Sequence, residues 1–358
     1  MNPSPILTQF QLFEKTGKPF QYKSKEFKID LAPGEALVKI LLSTICGSDI
    51  HTIEGMRTED TPCILGHEAV GEIVAINSRE GFAVGDRVTW TIADSCGQCP
   101  ACTDYGLPEK CNELFKYGHA SINNGSGLNG SYATHIHIRG GTHMVNVPKS
   151  VSNSAVAPAN CALATMVNAV SHMIESPKKV VVQGGGLLGL YTCGLLKELG
   201  VSQIFCLEIN EQRFGLIEQF GAIAVDARDF DSATEFILDQ VGDGVDVVFE
   251  VAGLKQLIPQ GVTLLRPGGG YILVGLVHPD SEMKITAEQI IRKCLYIKGV
   301  HNYSPCHLDE AIAFLERNQN RFPFEYLVSP PYQLEEIEKA VHHAKQQEWA
   351  RVAIQPNQ

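Results

Sequence analysis

Residues 180–190 read VVVQGGGLLGL, three valines that run through glycines into helical apolar spacing. Gly184, Gly186 and Gly189 form a G-x-G-x-x-G pattern, directly after a short buried strand and at the mouth of the helical stretch LGLYTCGLLKELG (188–200). In that setting each glycine answers a demand for a missing Cβ: a tight turn, close backbone approach to a pyrophosphate, and close helix–sheet packing. The free N–H groups of the first helical turn, at Leu187 and Leu188, and the positive helix end then face a diphosphate. The pattern alone is common, and the second half of the test is an acidic residue about 20 positions on, closing the next strand. Glu208 ends QIFCLE, 19 residues after Gly189. Its carboxylate suits the two adenosine-ribose hydroxyls and repels a 2′-phosphate, and Ile209 and Asn210 add no positive charge, so NAD is expected rather than NADP. Arg213, one turn further, is placed to stack on adenine or reach a phosphate, which leaves some tolerance of NADP.

Outward from this motif the chain alternates. QIFCLEI (203–209) reads as a strand and RFGLIEQFG (213–221) as a helix, and VDVVFEVAG (245–253), YILVGLV (271–277) and LYIKGV (295–300) read as further strands. Such βαβ units imply an α/β fold with a doubly wound parallel sheet covered by helices. On the N-terminal side, SAVAPANCALATMVNAVSHMI (154–174) is helix-like, and the style before about residue 150 differs. There EALVKILL (35–42), EAVGEIVAI (68–76) and GFAVGDRVTW (81–90) are short strands among Gly-, Asn- and Thr-rich loops. After residue 303 come two amphipathic stretches, HLDEAIAFLERN and LEEIEKAVHHAKQ, and a last strand, RVAIQP. The expected division is residues 155–301 as the nucleotide-binding domain, with 1–154 and 302–358 forming the other. No internal repeat or low-complexity linker interrupts the chain.

With 358 residues, 44% of them apolar, the chain is long enough for two ordinary cores. A net charge of −11 argues against general nucleic-acid or anionic-membrane binding, since no basic excess is present to displace phosphate counterions. No apolar run approaches the roughly 18–20 residues that span a bilayer. The start, MNPSPILTQFQLFEKTG, lacks a charged and then apolar leader, so a cytoplasmic location is expected. In a reducing compartment clustered cysteines are metal ligands more often than disulfides. Of the eleven, Cys63, Cys193, Cys206, Cys294 and Cys306 read as small buried hydrophobes. CGQCPACTDYGLPEKC (96–111) is different: Cys96, Cys99 and Cys102 stand two residues apart, too tight for several unstrained disulfides, and Cys111 closes the loop. Four thiolates filling every position of a tetrahedral ion make a structural zinc site.

CGSDIH (46–51), GHE (66–68) and NCALAT (160–165), taken with the cysteine cluster and the glycine fingerprint, resemble the zinc-dependent medium-chain alcohol dehydrogenase family, part of the medium-chain dehydrogenase/reductase superfamily. The resemblance runs over nearly the whole chain. It implies a GroES-like, mostly-β catalytic domain beside a Rossmann domain. It also implies a catalytic zinc on Cys46, His67 and Cys161, a ligand set that is the family's own and is carried over from it. With the cluster, that makes two zincs per chain. Three protein ligands leave one position for a substrate oxygen, which eases hydride loss to nicotinamide. By the same resemblance Glu68 is the carboxylate that exchanges with the open position, Ser48 and His51 form a proton relay, Thr165 lies beside the nicotinamide, and Arg351 reaches the pyrophosphate. A homodimer or homotetramer is implied, paired through a Rossmann edge strand near YILVGLV. Two departures stand out: eight residues rather than seven separate Cys102 from Cys111, and Gly47 stands where some members carry a basic residue.

For the substrate, Arg57 falls eleven residues after Cys46, where the resemblance puts a pocket wall, and Lys116, His119 and His301 are further polar candidates. A guanidinium there favours a small anionic molecule, a carboxylate, phosphate or phosphonate; a salt bridge to Glu54 or Glu59 is the alternative. The tail from LYIKGVHNYSPCHLDEAIAFL to FPFEYLV is similar to a subgroup associated with phosphonate breakdown, which points to a hydroxyalkyl- or aminoalkylphosphonate. A polyol dehydrogenase competes, although such relatives often carry Glu at the Cys161 position. Zinc-free reductases of this architecture lack the ligands. A non-catalytic nucleotide-sensing relic has no need of an open metal site.

Overall fold

The computed structural model describes residues 5–357. The chain divides into two compact units, Met1–Cys161 with Tyr303–Gln319 and Phe324–Gln358, and Ala162–Asn302 with Asn320–Pro323.

The first unit is organised by the strand Ala36–Ile45, whose side chains are buried at eight of ten positions. It pairs antiparallel with Glu68–Ile76, with Val352–Gln355 and with His135–Ile138. The sheet continues outward through Arg87–Trp90 and Met144–Asn146 on one side and Tyr332–Gln333 on the other. Burial of Ala36, Val38 and Ile40 against Ile73, Val88 and Ile136 specifies the register, because a slip of one residue would turn these side chains to the other face. That register sets Thr44 opposite Glu68 and Ile45 opposite Val352. A separate three-stranded sheet, ordered Gln21–Phe27, Ile6–Phe13, Cys63–Ile64, has an exposed outer strand carrying Lys23 and Lys25, charges that discourage edge pairing. Of the expected strand 81–90 only Arg87–Trp90 forms, since Gly81 and Gly85 take positive φ and turn the chain first. The helix expected over 154–174 is broken at Pro158 into Asn153–Val156, a wide π-helical turn Ala159–Leu163, and Ala164–Ser171.

The second unit holds a six-stranded, wholly parallel sheet ordered Ile223–Asp226, Gln203–Glu208, Lys179–Gln183, Val245–Glu250, Leu265–Leu273, Tyr296–Gly299. In chain order this is 3-2-1-4-5-6, the doubly wound arrangement that reverses beside its first strand. Val180, Val181 and Val182 are completely buried, as expected of a strand covered on both faces. The strand that includes Tyr271–Leu273 begins earlier, at Leu265, and is hydrogen-bonded on both sides, and the edge next to it is Tyr296–Gly299. The free edges of this sheet are Ile223–Asp226 and Tyr296–Gly299. Cys63, Cys193 and Cys206 are buried, but Cys294 and Cys306 are exposed, Cys294 because it ends a helix at φ +50° and Cys306 because it lies in the first turn of Pro305–Asn318. Among the described residues no helix is long and apolar enough to cross a membrane.

Candidate functional site

Cys46 follows the strand Ala36–Ile45 and caps the helix Gly47–Ile53, while His67 immediately precedes the strand Glu68–Ile76. The pairing register therefore delivers a thiol, an imidazole and a carboxylate to one end of the sheet. Cys161 arrives from the wide turn Ala159–Leu163, a type of irregularity frequent at functional sites. Its neighbour Asn160, fully buried, ties that turn in place by donating to His67 O at 3.0 Å and Trp90 O at 2.9 Å. One ligand atom from each of Cys46, His67, Glu68 and Cys161 lies within 4.8 Å of all the others.

The imidazole of His67 is oriented from behind. Its Nδ1 faces Asp49 Oδ1 at 3.4 Å, and the other Asp49 oxygen accepts from Cys46 N–H at 2.9 Å and Tyr132 O–H at 3.0 Å. Nε2 is then the metal-facing atom, 3.4 Å from Ser48 Oγ. Burial works against a charged imidazole, but the Asp49 carboxylate prevails and holds His67 above its ordinary range. The Cys161 thiol, aided by the guanidinium of Arg351, holds the Cys46 thiol well below the usual cysteine range. Burial pushes Glu68 up to about 7. Arg351 opposes that shift with paired bonds, Nε to Oε2 at 2.8 Å and Nη2 to Oε1 at 3.0 Å, and Thr44 Oγ1 donates to Oε2 at 2.7 Å. Arg351, expected at a pyrophosphate, is thus engaged with Glu68, and its Nη2 lies 3.6 Å from Cys46 Sγ. Two thiols, an imidazole and a neighbouring carboxylate form a donor set suited to zinc.

The cysteine cluster also fits a metal. Cys99 Sγ lies 3.6 Å from Cys102 Sγ and 3.8 Å from Cys111 Sγ. Zn–S bonds of about 2.3 Å imply tetrahedral edges of about 3.8 Å. Cys111 Sγ also accepts the N–H groups of Cys96 and Glu113, at 3.2 and 3.3 Å. The long Cys102–Cys111 spacing is taken up by the short turn Pro108–Lys110. None of the cysteines is in a disulfide.

In the second unit, Gly184 takes φ +114°, and a Cβ on Gly189 would lie 1.8 Å from Gly184 O. Beyond its own chain neighbours, nothing lies within 4 Å of the missing Cβ of Gly186, and Leu187 and Leu188 open the helix Leu187–Glu198. Glu208 closes its strand, accepting from Ile209 N at 2.8 Å and Asn210 N at 2.9 Å on Oε1, and from Gly185 N at 3.1 Å on Oε2. Arg213 Nη1 pairs with the same Oε2 at 3.2 Å. Thr165 lies half-buried on Ala164–Ser171, and His301 belongs to this unit as well.

Back in the first unit, His51 is half-buried in the last turn of Gly47–Ile53. Arg57 pairs with Glu59 at 3.5 Å, and Glu54 pairs instead with Lys345 at 3.1 Å. His119 also reaches Glu59, at 3.0 Å, and Lys116 is half-buried nearby, where burial and then Arg57 lower its ammonium pKa. Asp49, Asn160 and Tyr132 were not singled out in the sequence, whereas Glu59 was expected there as an alternative partner of Arg57. For Asp49 a local signal existed, an acid three residues after Cys46 in a helical first turn; Asn160 and Tyr132 act through tertiary contacts.

The two units and their donor sets define a zinc-dependent oxidoreductase with a dinucleotide cradle. Residues 32–149 match the alcohol dehydrogenase GroES-like domain and residues 188–317 the zinc-binding dehydrogenase domain. The chain is 32% identical to a sorbitol dehydrogenase of Halalkalibacterium halodurans, over 92% of this chain and 94% of that one. It is 28% identical to the 5-exo-hydroxycamphor dehydrogenase of Pseudomonas putida, over 88% and 90% of the two chains. Among solved structures, an alcohol dehydrogenase of Thermotoga maritima superimposes with a TM-score of 0.93 at 28% identity, covering 98% of this chain and all of that one. The chain belongs to the zinc-dependent medium-chain alcohol dehydrogenase family, and is an NAD-dependent zinc oxidoreductase.

Proposed function

We propose that the chain transfers hydride between NAD(H) and a hydroxyl-bearing, polyol-like substrate, with Cys46, His67 and Cys161 holding the catalytic zinc and Cys96, Cys99, Cys102 and Cys111 a structural one. The observation that carries this reading is the convergence of Cys46, His67, Cys161 and Glu68 within 4.8 Å. A bound zinc would act as a Lewis acid on the reacting oxygen, and NAD would accept the hydride. The protein's own part is positional. Asp49 fixes the ring of His67, and Arg351 keeps the Glu68 carboxylate beside the ligands. Ser48, at the metal-facing nitrogen of His67, takes the substrate's proton, and His51 carries it toward solvent. In the second unit Gly184, Gly186, Gly189 and the N–H groups at Leu187 and Leu188 would seat the pyrophosphate, and Glu208 the adenosine ribose, with Arg213 beside it.

A polyol is favoured by the likeness to a sorbitol dehydrogenase. The anionic class drew on Arg57 and its phosphonate form on the C-terminal tail, but the Arg57 guanidinium is paired with Glu59 at 3.5 Å, which weakens its claim on an anionic substrate. The test is a panel of polyols, simple alcohols, amino alcohols and hydroxyalkylphosphonates, followed by NADH absorbance with zinc-loaded enzyme. Turnover that persists undiminished in Cys46→Ser would end this reading. Preference for a phosphonate would restore the anionic one.

A further inference from the structure

Beside His67 lies a polar ring that the steps above leave unused. The side chain of His119 is 10% exposed, and its ring centroid is 5.2 Å from that of His67, the planes inclined by 31°. His119 Nδ1 lies 3.0 Å from Glu59 Oε1, and Arg57 Nη2 reaches the same oxygen at 3.5 Å. Although burial would raise Glu59, its hydrogen bond with His119 and the nearby charges keep its carboxyl below the usual range, so it is ionised and only accepts. An acceptor-only partner obliges His119 to present an N–H at Nδ1. The neutral ring then carries its lone pair on Nε2. Nε2 has no hydrogen-bond partner among the described residues, nor is it one of the polar atoms sealed from solvent. It is an open acceptor one ring away from a metal ligand.

We propose that His119 Nε2 accepts a hydrogen bond from a donor on the carbon next to the one oxidised, so that the enzyme selects vicinal diols or amino alcohols over monoalcohols, with Glu59 as the positioning residue that sets the tautomer. This rests on the assignment of Cys46, His67 and Cys161 as the catalytic centre. A monoalcohol would displace water from Nε2 without replacing its hydrogen bond, and sites built to bond a substrate group discriminate strongly against analogues that lack it. The reach is short because the two ring centroids are only 5.2 Å apart, which is why a neighbouring substituent, rather than a distant one, is the group selected.

The experiment compares kcat/KM of the zinc-loaded enzyme for propane-1,2-diol, 1-aminopropan-2-ol and propan-2-ol. In parallel it compares the best polyol of the panel with its analogue deoxygenated at the neighbouring carbon. At least one donor-bearing substrate should exceed its plain counterpart by about tenfold or more, and the first pair shows whether hydroxyl or ammonium is preferred. His119→Phe keeps a ring beside His67 but should cut that ratio by about tenfold, and Glu59→Gln, which frees the tautomer, should lower it partway. Should His119→Phe fold poorly, as judged by zinc content and melting, Glu59→Gln supplies the readout. A ratio that survives both substitutions overturns the proposal. So does an equal loss on all substrates, which would mean the ring only supports His67. Turnover without discrimination in the parent enzyme overturns this inference alone, whereas no oxidation of any hydroxyl compound overturns the catalytic assignment beneath it.

Discussion

Two alanine substitutions in one motif should separate folding from cofactor binding. A Cβ on Gly189 would sit 1.8 Å from Gly184 O, a backbone atom that cannot swing aside. Contact between carbon and a carbonyl oxygen begins near 3.3 Å, so helix Leu187–Glu198 would have to move by about 1.5 Å from its strand. Overpacking of this kind costs about 1–3 kcal/mol, and the upper part of that range is expected against backbone. The unit concerned, residues 162–302 and 320–323, has roughly 145 residues. At about 2.1 cal/mol/K per residue its unfolding entropy is about 0.3 kcal/mol/K, so 2–3 kcal/mol lowers Tm by roughly 7–10 °C. Gly186 has open space at its missing Cβ and an ordinary φ of −73°, so Gly186→Ala should leave Tm within about 2 °C. Its methyl would instead occupy the line of pyrophosphate approach and weaken NADH binding by about tenfold or more. Differential scanning fluorimetry without cofactor and titration of NADH fluorescence read the two effects. The reasoning fails if Gly189→Ala melts with the parent protein, or if Gly186→Ala binds NADH equally well.

Arg351→Met, which leaves Glu68 buried without its cation, should cost up to about 3–5 kcal/mol, with the deficit small at pH 5, where the carboxyl is protonated in both proteins, and growing above about pH 7, where only the parent's Glu68 ionises readily; Glu68→Gln on the same background should recover part of it, and urea denaturation at pH 5 and 8 checks the sign. Burial lowers His135 to about 4, against about 6.5 unfolded, so its contribution is present above pH 6.5 and is lost as pH falls toward 4. His135→Gln should therefore soften acid destabilisation in that window by about 1–2 kcal/mol after allowance for partial exposure, and an unchanged Tm–pH curve would contradict the assignment. Metal analysis should find two zincs per chain, falling to one in Cys111→Ser with the Cys46 site still loaded; loss of both would show the sites are not independent. Glu208→Ser should raise the NADP-to-NAD ratio of kcat/KM by about tenfold or more, because the repelling carboxylate is removed, and a constant ratio would place cofactor selection elsewhere.

Local patterns carried much of this protein. VVVQGGGLLGL with Glu208 implied a parallel, doubly wound sheet because the signals for strand, turn and helix are neighbours in the chain. The Cys96–Cys111 run was legible for the same reason, since all four donors lie within one loop. The break in 154–174 was signalled by Pro158, yet the wide turn that presents Cys161 follows from what Asn160 bonds. Burial of Cys294 and Cys306 was expected from residue type, but both lie at helix ends and face solvent. Which strand near YILVGLV forms the edge, Tyr296–Gly299, came only from the sheet order, because strand order is not written in any single segment.

What the sequence by itself determined is the set of elements, the two thiolate groups, and the family to which they belong. The tertiary structure decided the partnerships: Arg351 with Glu68 from 283 positions away, Asn160 with His67 from 93, and His119 with Glu59 from 60. The physical reason is that helix and strand signals are short-range and periodic, whereas the orientation of a buried ring or carboxylate depends on which strands pair and in what register. That pairing is settled only when the whole core is packed.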